Sequence, residues 1–168
     1  ERFGTYAGTE LTKYPHAADD MKVSTDDKGS VPLTGERLTR FSELVGCLGY
    51  AVHTHACVMV DVSVLQTAVA RPTVGDWDRG MRVIRYLYQN RHKGVCFPGP
   101  PCPRASNEEI AARTTVWGAC DAAFNCHSDG KGHSGIMLSI GEWCPPVLTI
   151  SSKQKIITDS STYSEYVC

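Results

Sequence analysis

A proline-rich segment divides the sequence into two parts that carry different patterns. The segment, FPGPPCP at residues 97–103, contains four prolines in seven positions. Because proline fixes φ and lacks a backbone N–H donor, neither a helix nor a strand ladder can continue through this segment. We therefore predict a linker over residues 96–113, in which only residues 106–113 have the pattern of a short capped helix.

The part of the chain before the linker has apolar side chains at helical spacing. Three stripes, in which an apolar residue recurs every three or four positions, run through Phe41–Val52, Val58–Val69 and Trp77–Tyr88. Thr73 stands just before the third stripe, where a helix N-cap is expected. We therefore predict a helical segment of three helices over residues 37–95.

The two ends of the chain show other patterns. Residues 1–36 are polar and have no sustained period, which predicts an extended lead-in. Three runs rich in β-forming residues, at 114–121, 134–140 and 147–152, are separated by glycine and proline turn signals. Such closely spaced strands favour an antiparallel sheet, and Ser160, Ser161 and Thr162 then offer helix caps. The predicted fold class is therefore mixed α/β of the α+β type.

The charge balance and the hydropathy exclude two classes of protein. Seventeen basic residues and eighteen acidic residues give a net charge of -1, which argues against a polyanion binder that acts through bulk charge. A local basic patch remains compatible with this balance. The longest uninterrupted apolar run is the five residues Ala56–Val60, whereas a membrane-spanning helix needs about 20. We therefore expect no membrane partner.

The eight cysteines contain no CxxC pair, and no leader with a charged start and an apolar core opens the sequence. We therefore expect reduced thiols in an intracellular protein, in a compartment that the sequence does not indicate. A zinc site would need one of two groups of residues, and neither has the spacing of a closed four-ligand site. The two groups are His53, His55 and Cys57, and Cys120, Cys126 and His127.

Three stretches of the sequence resemble the polyprotein of copia-type long-terminal-repeat retrotransposons. Residues 41–87, which begin FSELVGCLGY and end ARPTVGDWDRGMRVIRYL, resemble the end of that family's reverse transcriptase. VWGACDAAF at residues 116–124 resembles the family's "GYSDADW", and SSKQKIITDSSTYSEY at residues 151–166 resembles "SSKKQ…SSTEAEY". Departures from the family pattern, typical of a diverged copy, occur at His55–Cys57, at Ala123 and at Tyr163.

The resemblance implies that residues 37–95 are the connection segment and that residues 114–168 are the N-terminal part of an RNase H-like domain. Such domains hydrolyse the RNA strand of RNA–DNA hybrids with two Mg²⁺ ions held by acidic side chains. The motifs assign two of the expected four acidic groups to this chain, Asp121 and Glu165. The remainder of the reverse transcriptase polyprotein is an implied partner, and we expect this fragment to be inactive alone.

Each proposed metal ligand also has an ordinary structural interpretation. Asp121 could be an aspartate at the end of a strand with no role in catalysis. Glu165 stands three residues after Thr162, so it could be the glutamate of a capping box. Two nearby acids, Asp129 and Asp159, are not selected by the motif, and Asp129 lies in a DG turn.

A basic run follows the start of the third predicted helix and holds five of the seventeen basic residues within fifteen positions. Arginines at three-residue steps can neutralise successive phosphates, so the run is a candidate contact for an RNA–DNA hybrid. The alternative is a solvated helix face. The run consists of Arg79, Arg82, Arg85, Arg91 and Lys93.

The sequence also supports a function from another class. The neutral net charge, the altered triplet at His55–Cys57 and the missing carboxylates favour a retroelement remnant without catalytic activity. Such a remnant would serve as a structural or protein-binding subunit. Retention of both Asp121 and Glu165 favours the enzyme lineage instead.

Overall fold

A computed structural model of the chain describes residues 14–15, 31–97, 99, 104–141 and 144–168. The predicted lead-in over residues 1–36 therefore lies largely outside the described residues, as does most of the proline-rich segment. Among the described residues, no helix has both the length and the apolar character needed to cross a membrane.

Three helices form the first half of the described chain, as the apolar stripes predict. They are α1 (Glu36–Ala51), α2 (Met59–Ala68) and α3 (Val74–Gln89), and a single 3-10 turn at Ala56–Val58 leads into α2. Their apolar stripes meet in one core, whose innermost side chains are 0–1% exposed. These side chains are Phe41, Leu44, Val58, Val62, Leu65 and Val83.

Two local features fix the start and the packing of α3. The Thr73 side chain accepts a hydrogen bond from the Asp76 backbone N–H at 3.3 Å, and the Asp76 carboxylate accepts one from the Thr73 backbone N–H at 2.8 Å. This capping box confirms the predicted N-cap. Gly80 lies against α1, where an added Cβ would sit 2.7 Å from Leu44 Cδ2. A side chain at position 80 would therefore force Leu44, which is fully buried, to shift.

A fourth helix, α4 (Asn107–Thr114), lies within the predicted linker and matches the capped helix expected there. Ser106 caps it: its hydroxyl accepts a hydrogen bond from the Glu109 backbone N–H, and the Glu109 carboxylate accepts one from the Ser106 backbone N–H. None of the residues of α4 is buried, so the capping box and helix propensity, rather than packing, stabilise it.

The second half of the chain contains a three-stranded antiparallel sheet in the order β1-β2-β3, which confirms the predicted α+β class. The strands are β1 (Val116–Ala123), β2 (Lys131–Ile140) and β3 (Pro146–Ile157). β2 begins earlier than predicted, at Lys131, and β3 ends later, at Ile157, because these two residues pair with each other in the ladder. The register places Asp121 opposite Gly135, and Gly135 opposite Ser151.

A short fifth helix, α5 (Ser161–Tyr166), ends the chain. Its N-cap is Ser160, whose hydroxyl accepts a hydrogen bond from the Tyr163 backbone N–H at 3.2 Å. Thr162 therefore lies inside the helix, and Glu165 is not the glutamate of a capping box at Thr162. The structural alternative that the sequence left open for Glu165 is thus wrong.

The two faces of the sheet have different surroundings. One face, which includes Asp121 and Ser151, lies against α2, and the Ser63 hydroxyl on α2 donates to the Ser151 carbonyl at 2.8 Å. The opposite face carries Ser134, and both Ser134 and α5 are hydrogen-bonded to the Gln154 side chain. The Gln154 amide nitrogen donates both to Ser134 Oγ at 3.1 Å and to the Ser164 carbonyl at 3.0 Å. We call these the groove face and the outer face.

Candidate functional site

Asp121 lies on β1 as an exposed side chain of the groove face. Its Oδ1 accepts a hydrogen bond from the backbone N–H of Ala122 at 3.0 Å, so one carboxylate oxygen is directed along its own strand. The strand is at the edge of the sheet, and water or a ligand can therefore reach this carboxylate.

Glu165 lies on α5 and is also exposed. The chain just after this helix contacts β1 at Asp121, because the Cys168 thiol donates to the Asp121 carbonyl at 3.1 Å. The structure thus brings the element that carries Glu165 to the backbone of Asp121, although α5 approaches from the outer face.

Within the described ranges, no group of three or more histidine, cysteine, aspartate or glutamate side chains is close enough to hold a metal ion. Asp129, which the motif does not select, has its own role in the β1–β2 turn. Its carboxylate forms an ion pair with Lys153 at 2.8 Å and accepts a weak hydrogen bond from the Lys131 backbone N–H at 3.4 Å. The hydrogen bond from Lys153 holds the pKa of Asp129 below its usual value.

A groove of about 260 Å³ separates the sheet from the 3-10 turn and α2. Asp121 lies at this groove, together with Met137 and Ser151 of the sheet and Ala56 and Met59 of the helical segment. Most of the lining side chains are apolar. The groove therefore suits an apolar group better than an ion, apart from the side where Asp121 stands.

The basic run is divided between α3 and the chain that follows it. Arg79, Arg82 and Arg85 lie on α3 and are partly buried. Arg91 and Lys93 follow the end of the helix at Gln89 and are exposed. The Arg91 guanidinium stacks 4.4 Å from the centre of the Tyr88 ring. The five basic residues thus do not form one straight row.

The structure also contains a buried histidine pair that the sequence did not single out. His127 Nε2 and His133 Nδ1 lie 3.0 Å apart, and both residues are buried. His133 Nε2 lies 2.7 Å from the Ser151 hydroxyl and 3.5 Å from the Ser63 hydroxyl on α2. A His-x5-His spacing around a DG turn is the signal that could have revealed the pair, because the turn folds one residue back on the other.

Burial determines the protonation state of this pair. It lowers the pKa of His127 to about 4, and the neighbouring His133 and Lys153 act in the same direction. Burial also lowers the pKa of His133. Both rings are therefore neutral at pH 7, so each can offer one N–H donor and one nitrogen acceptor to the chain of hydrogen bonds. The pair ties the β1–β2 turn to β3 and to α2.

Comparisons with known proteins give one distant similarity. The chain is 27% identical over 127 residues to an uncharacterized mitochondrial protein of Arabidopsis thaliana. The matched region is 75% of this chain and 48% of the relative, so the chain spans about half the length of the curated relative it matches. No protein-family profile and no solved structure matches the chain.

Proposed function

We propose that the chain is a retroelement-derived polypeptide, namely the connection segment and the N-terminal part of the RNase H domain of a copia-type reverse transcriptase. In the parent protein this domain hydrolyses the RNA strand of RNA–DNA hybrids with Mg²⁺. One observation supports the proposal: Asp121, which the sequence motif selects, lies on the first strand of an antiparallel sheet, and Cys168, just after the helix that carries Glu165, contacts its backbone. The distant similarity to a plant mitochondrial protein is compatible with this origin.

The two carboxylates have the chemistry that Mg²⁺ requires, because magnesium prefers hard oxygen ligands. Asp121 lies on the groove face while α5 approaches from the outer face, so a shared ion has to lie at the open edge of β1. The described residues bring no third acidic group to this edge. We therefore propose that the remainder of the polyprotein supplies the other acids, and that this chain alone does not cleave hybrids.

The α3 arginines and the residues after the helix supply the contact to nucleic acid in this proposal. Arg82 and Arg85 are partly buried on α3, and packing of this kind can hold a guanidinium group in place for a phosphate. RNA–DNA hybrid is then the nucleic-acid partner. The net charge of the chain is -1, so it does not attract a nucleic acid. Binding therefore depends on this local run.

A second function, as a non-catalytic structural or protein-binding subunit, is favoured by a specific observation. The described residues contain no cluster of acids that could hold a metal ion, and an apolar surface is exposed on the outer face of the sheet. A remnant that has lost catalysis would keep the fold and present this surface to a protein.

A titration with MgCl₂, followed by two-dimensional NMR of the backbone amides, tests the catalytic lineage. We expect Mg²⁺-dependent shifts at Asp121 and Glu165 that Asp121→Asn abolishes. The matched control Asp159→Asn, which removes an exposed acid outside the motif, should leave these shifts unchanged. Shifts centred on Asp129, or no shifts at all, would show that Asp121 and Glu165 form no magnesium site and would favour the non-catalytic subunit.

A further inference from the structure

A serine and the two histidines of the buried pair follow one another in a row of close polar contacts that runs from β3 to the β1–β2 turn. The Ser151 hydroxyl lies 2.7 Å from His133 Nε2, and His133 Nδ1 lies 3.0 Å from His127 Nε2. Both distances are those of hydrogen bonds. The three side chains are thus arranged like a nucleophile, its general base and the group that orients the base.

The three side chains differ in their access to the groove. His127 and His133 are 6% and 8% exposed, whereas Ser151 is only partly buried and lines the groove between the sheet and α2. A molecule in the groove can therefore reach Ser151, while both rings stay shielded from water. The Ser63 hydroxyl also lies near His133 Nε2, at 3.5 Å, but Ser63 is 5% exposed and donates to the Ser151 carbonyl. Ser151, rather than Ser63, is the candidate nucleophile.

The protonation states of the two histidines fit general-base catalysis. Burial lowers the pKa of both residues, so both rings are neutral at pH 7. In one arrangement of the neutral tautomers, the Ser151 hydroxyl donates to His133 Nε2, and His133 Nδ1–H donates to His127 Nε2. His133 can then take up a proton at Nε2 and still donate from Nδ1 to His127.

We propose that the chain transfers a short apolar acyl group from an activated carboxylic ester to Ser151 and then to water. Ser151 Oγ attacks the ester carbonyl carbon, and the hydroxyl proton passes to His133 Nε2. The bond from the acyl carbon to the leaving oxygen then breaks, and that oxygen takes the proton from His133. A water molecule, activated by the same base, attacks the acyl-serine, which releases a carboxylic acid and restores the Ser151 hydroxyl. His127 is a positioning residue.

The groove and the base together define the class of ester. Most of the side chains that line the groove are apolar, and its volume of about 260 Å³ is smaller than the roughly 300–1,000 Å³ of sites for drug-sized ligands. A short acyl chain therefore suits it. Because burial makes His133 a weak base, the leaving group has to be a good one, such as a phenolate. The proposal does not depend on Asp121, which lies two strands away from Ser151.

Labelling of the unmodified chain with an alkyl fluorophosphonate, in the presence of EDTA, tests the proposal without any variant. The reagent forms a bond from Oγ to phosphorus with loss of fluoride, and it favours activated serines over thiols. We expect peptide mass spectrometry to locate the label on Ser151. Because EDTA removes Mg²⁺, the result is separate from that for the proposed magnesium site. A chain that is not labelled, or is labelled only at other residues, would overturn the proposal.

Hydrolysis of p-nitrophenyl butyrate by variants of the chain tests the role of each residue. Ser151→Ala should abolish the hydrolysis, and His133→Gln should slow it by at least about 100-fold. Ser152→Ala, at the exposed neighbour on the outer face, is the matched control and should leave the rate unchanged. Equal rates in Ser151→Ala and Ser152→Ala would show that Ser151 is not the nucleophile.

The positioning role of His127 has its own kinetic test. His127→Leu removes the acceptor for His133 Nδ1–H and should lower kcat while KM stays unchanged. His127→Gln, whose amide oxygen can accept this hydrogen bond, should restore part of kcat. Equal kcat values in His127→Leu and the unmodified chain would overturn this role.

Discussion

The helical segment and the sheet bury their apolar residues to very different extents. In the helical segment, Phe41, Leu44 and Leu65 are 0% exposed within a closed core. On the outer face of the sheet, Leu148 and Ile150 are 45% and 41% exposed. The helices therefore depend on apolar packing, whereas the sheet depends on its hydrogen-bond ladder and on polar contacts to α2 and α5.

This difference in burial predicts which substitutions lower the stability of each half. In the helical segment, stability depends on side-chain volume, so deletion of a methyl group anywhere in the core is costly. In the sheet, stability depends on buried polar groups that must stay hydrogen-bonded, above all the histidine pair and Gln154.

The largest expected effect is a difference between two truncations of apolar residues. Leu44→Ala should lower the free energy of unfolding by about 2–5 kcal/mol, because it leaves a cavity in the closed core. Ile150→Ala should lower it by no more than about 1 kcal/mol, because much of that side chain is already in water. Urea unfolding followed by circular dichroism measures both values. Equal losses would show that the sheet has a closed core of its own.

The second prediction concerns acid stability and the histidine pair. The folded state lowers the pKa of His127 to about 4, whereas an unfolded chain protonates near 6.5. The unfolded state therefore binds more protons, and stability should fall as the pH decreases from 6.5 to 4, by at most about 3 kcal/mol. Above pH 6.5 the contribution of His127 to the free energy of unfolding is fully present.

Urea unfolding at several pH values checks this dependence. His127→Gln should flatten the pH dependence between pH 6.5 and 4, whereas His53→Gln, at an exposed histidine of the helical segment, should preserve it. A profile that stays unchanged in His127→Gln would show that folding does not lower the pKa of His127.

The third prediction concerns the contact between α1 and α3. Gly80→Ala should destabilise the chain by about 1–3 kcal/mol, because the new Cβ would lie 2.7 Å from Leu44 Cδ2. Gly46→Ala is the matched control on α1, where no atom lies within 4 Å of the added Cβ. Since alanine favours the helix, the control should stabilise the chain by up to about 1 kcal/mol. Stabilisation by both substitutions, measured by thermal unfolding, would contradict the close packing of the helices.

The sequence was sufficient for features that depend on local patterns. The spacing of Phe41–Val52 predicted α1, Thr73 predicted the start of α3, and the separated β-forming runs predicted the antiparallel sheet. Each of these features follows from periodicity, capping or turn chemistry within a few residues.

Other features depend on contacts between distant residues and could not be predicted in this way. The histidine pair requires the β1–β2 turn to fold His127 back on His133, and it requires Ser63 of α2 to reach the sheet. The face on which Asp121 lies depends on strand register, which no local pattern specified. The choice among the possible N-caps of α5 likewise could not be made from the sequence. Because the N-cap is Ser160, Glu165 is not the glutamate of a capping box at Thr162.

Binding of a fluorescently labelled RNA–DNA hybrid, measured by anisotropy over a range of salt concentrations, tests the proposed function most directly. We predict binding that weakens linearly with the logarithm of the salt concentration. Replacement of both Arg82 and Arg85 with alanine should reduce the slope by about one for each phosphate that is no longer neutralised. Replacement of Arg71 and Arg104, two exposed arginines outside α3, should leave the slope unchanged. Absence of hybrid binding, or an equal slope in both double variants, would contradict the account.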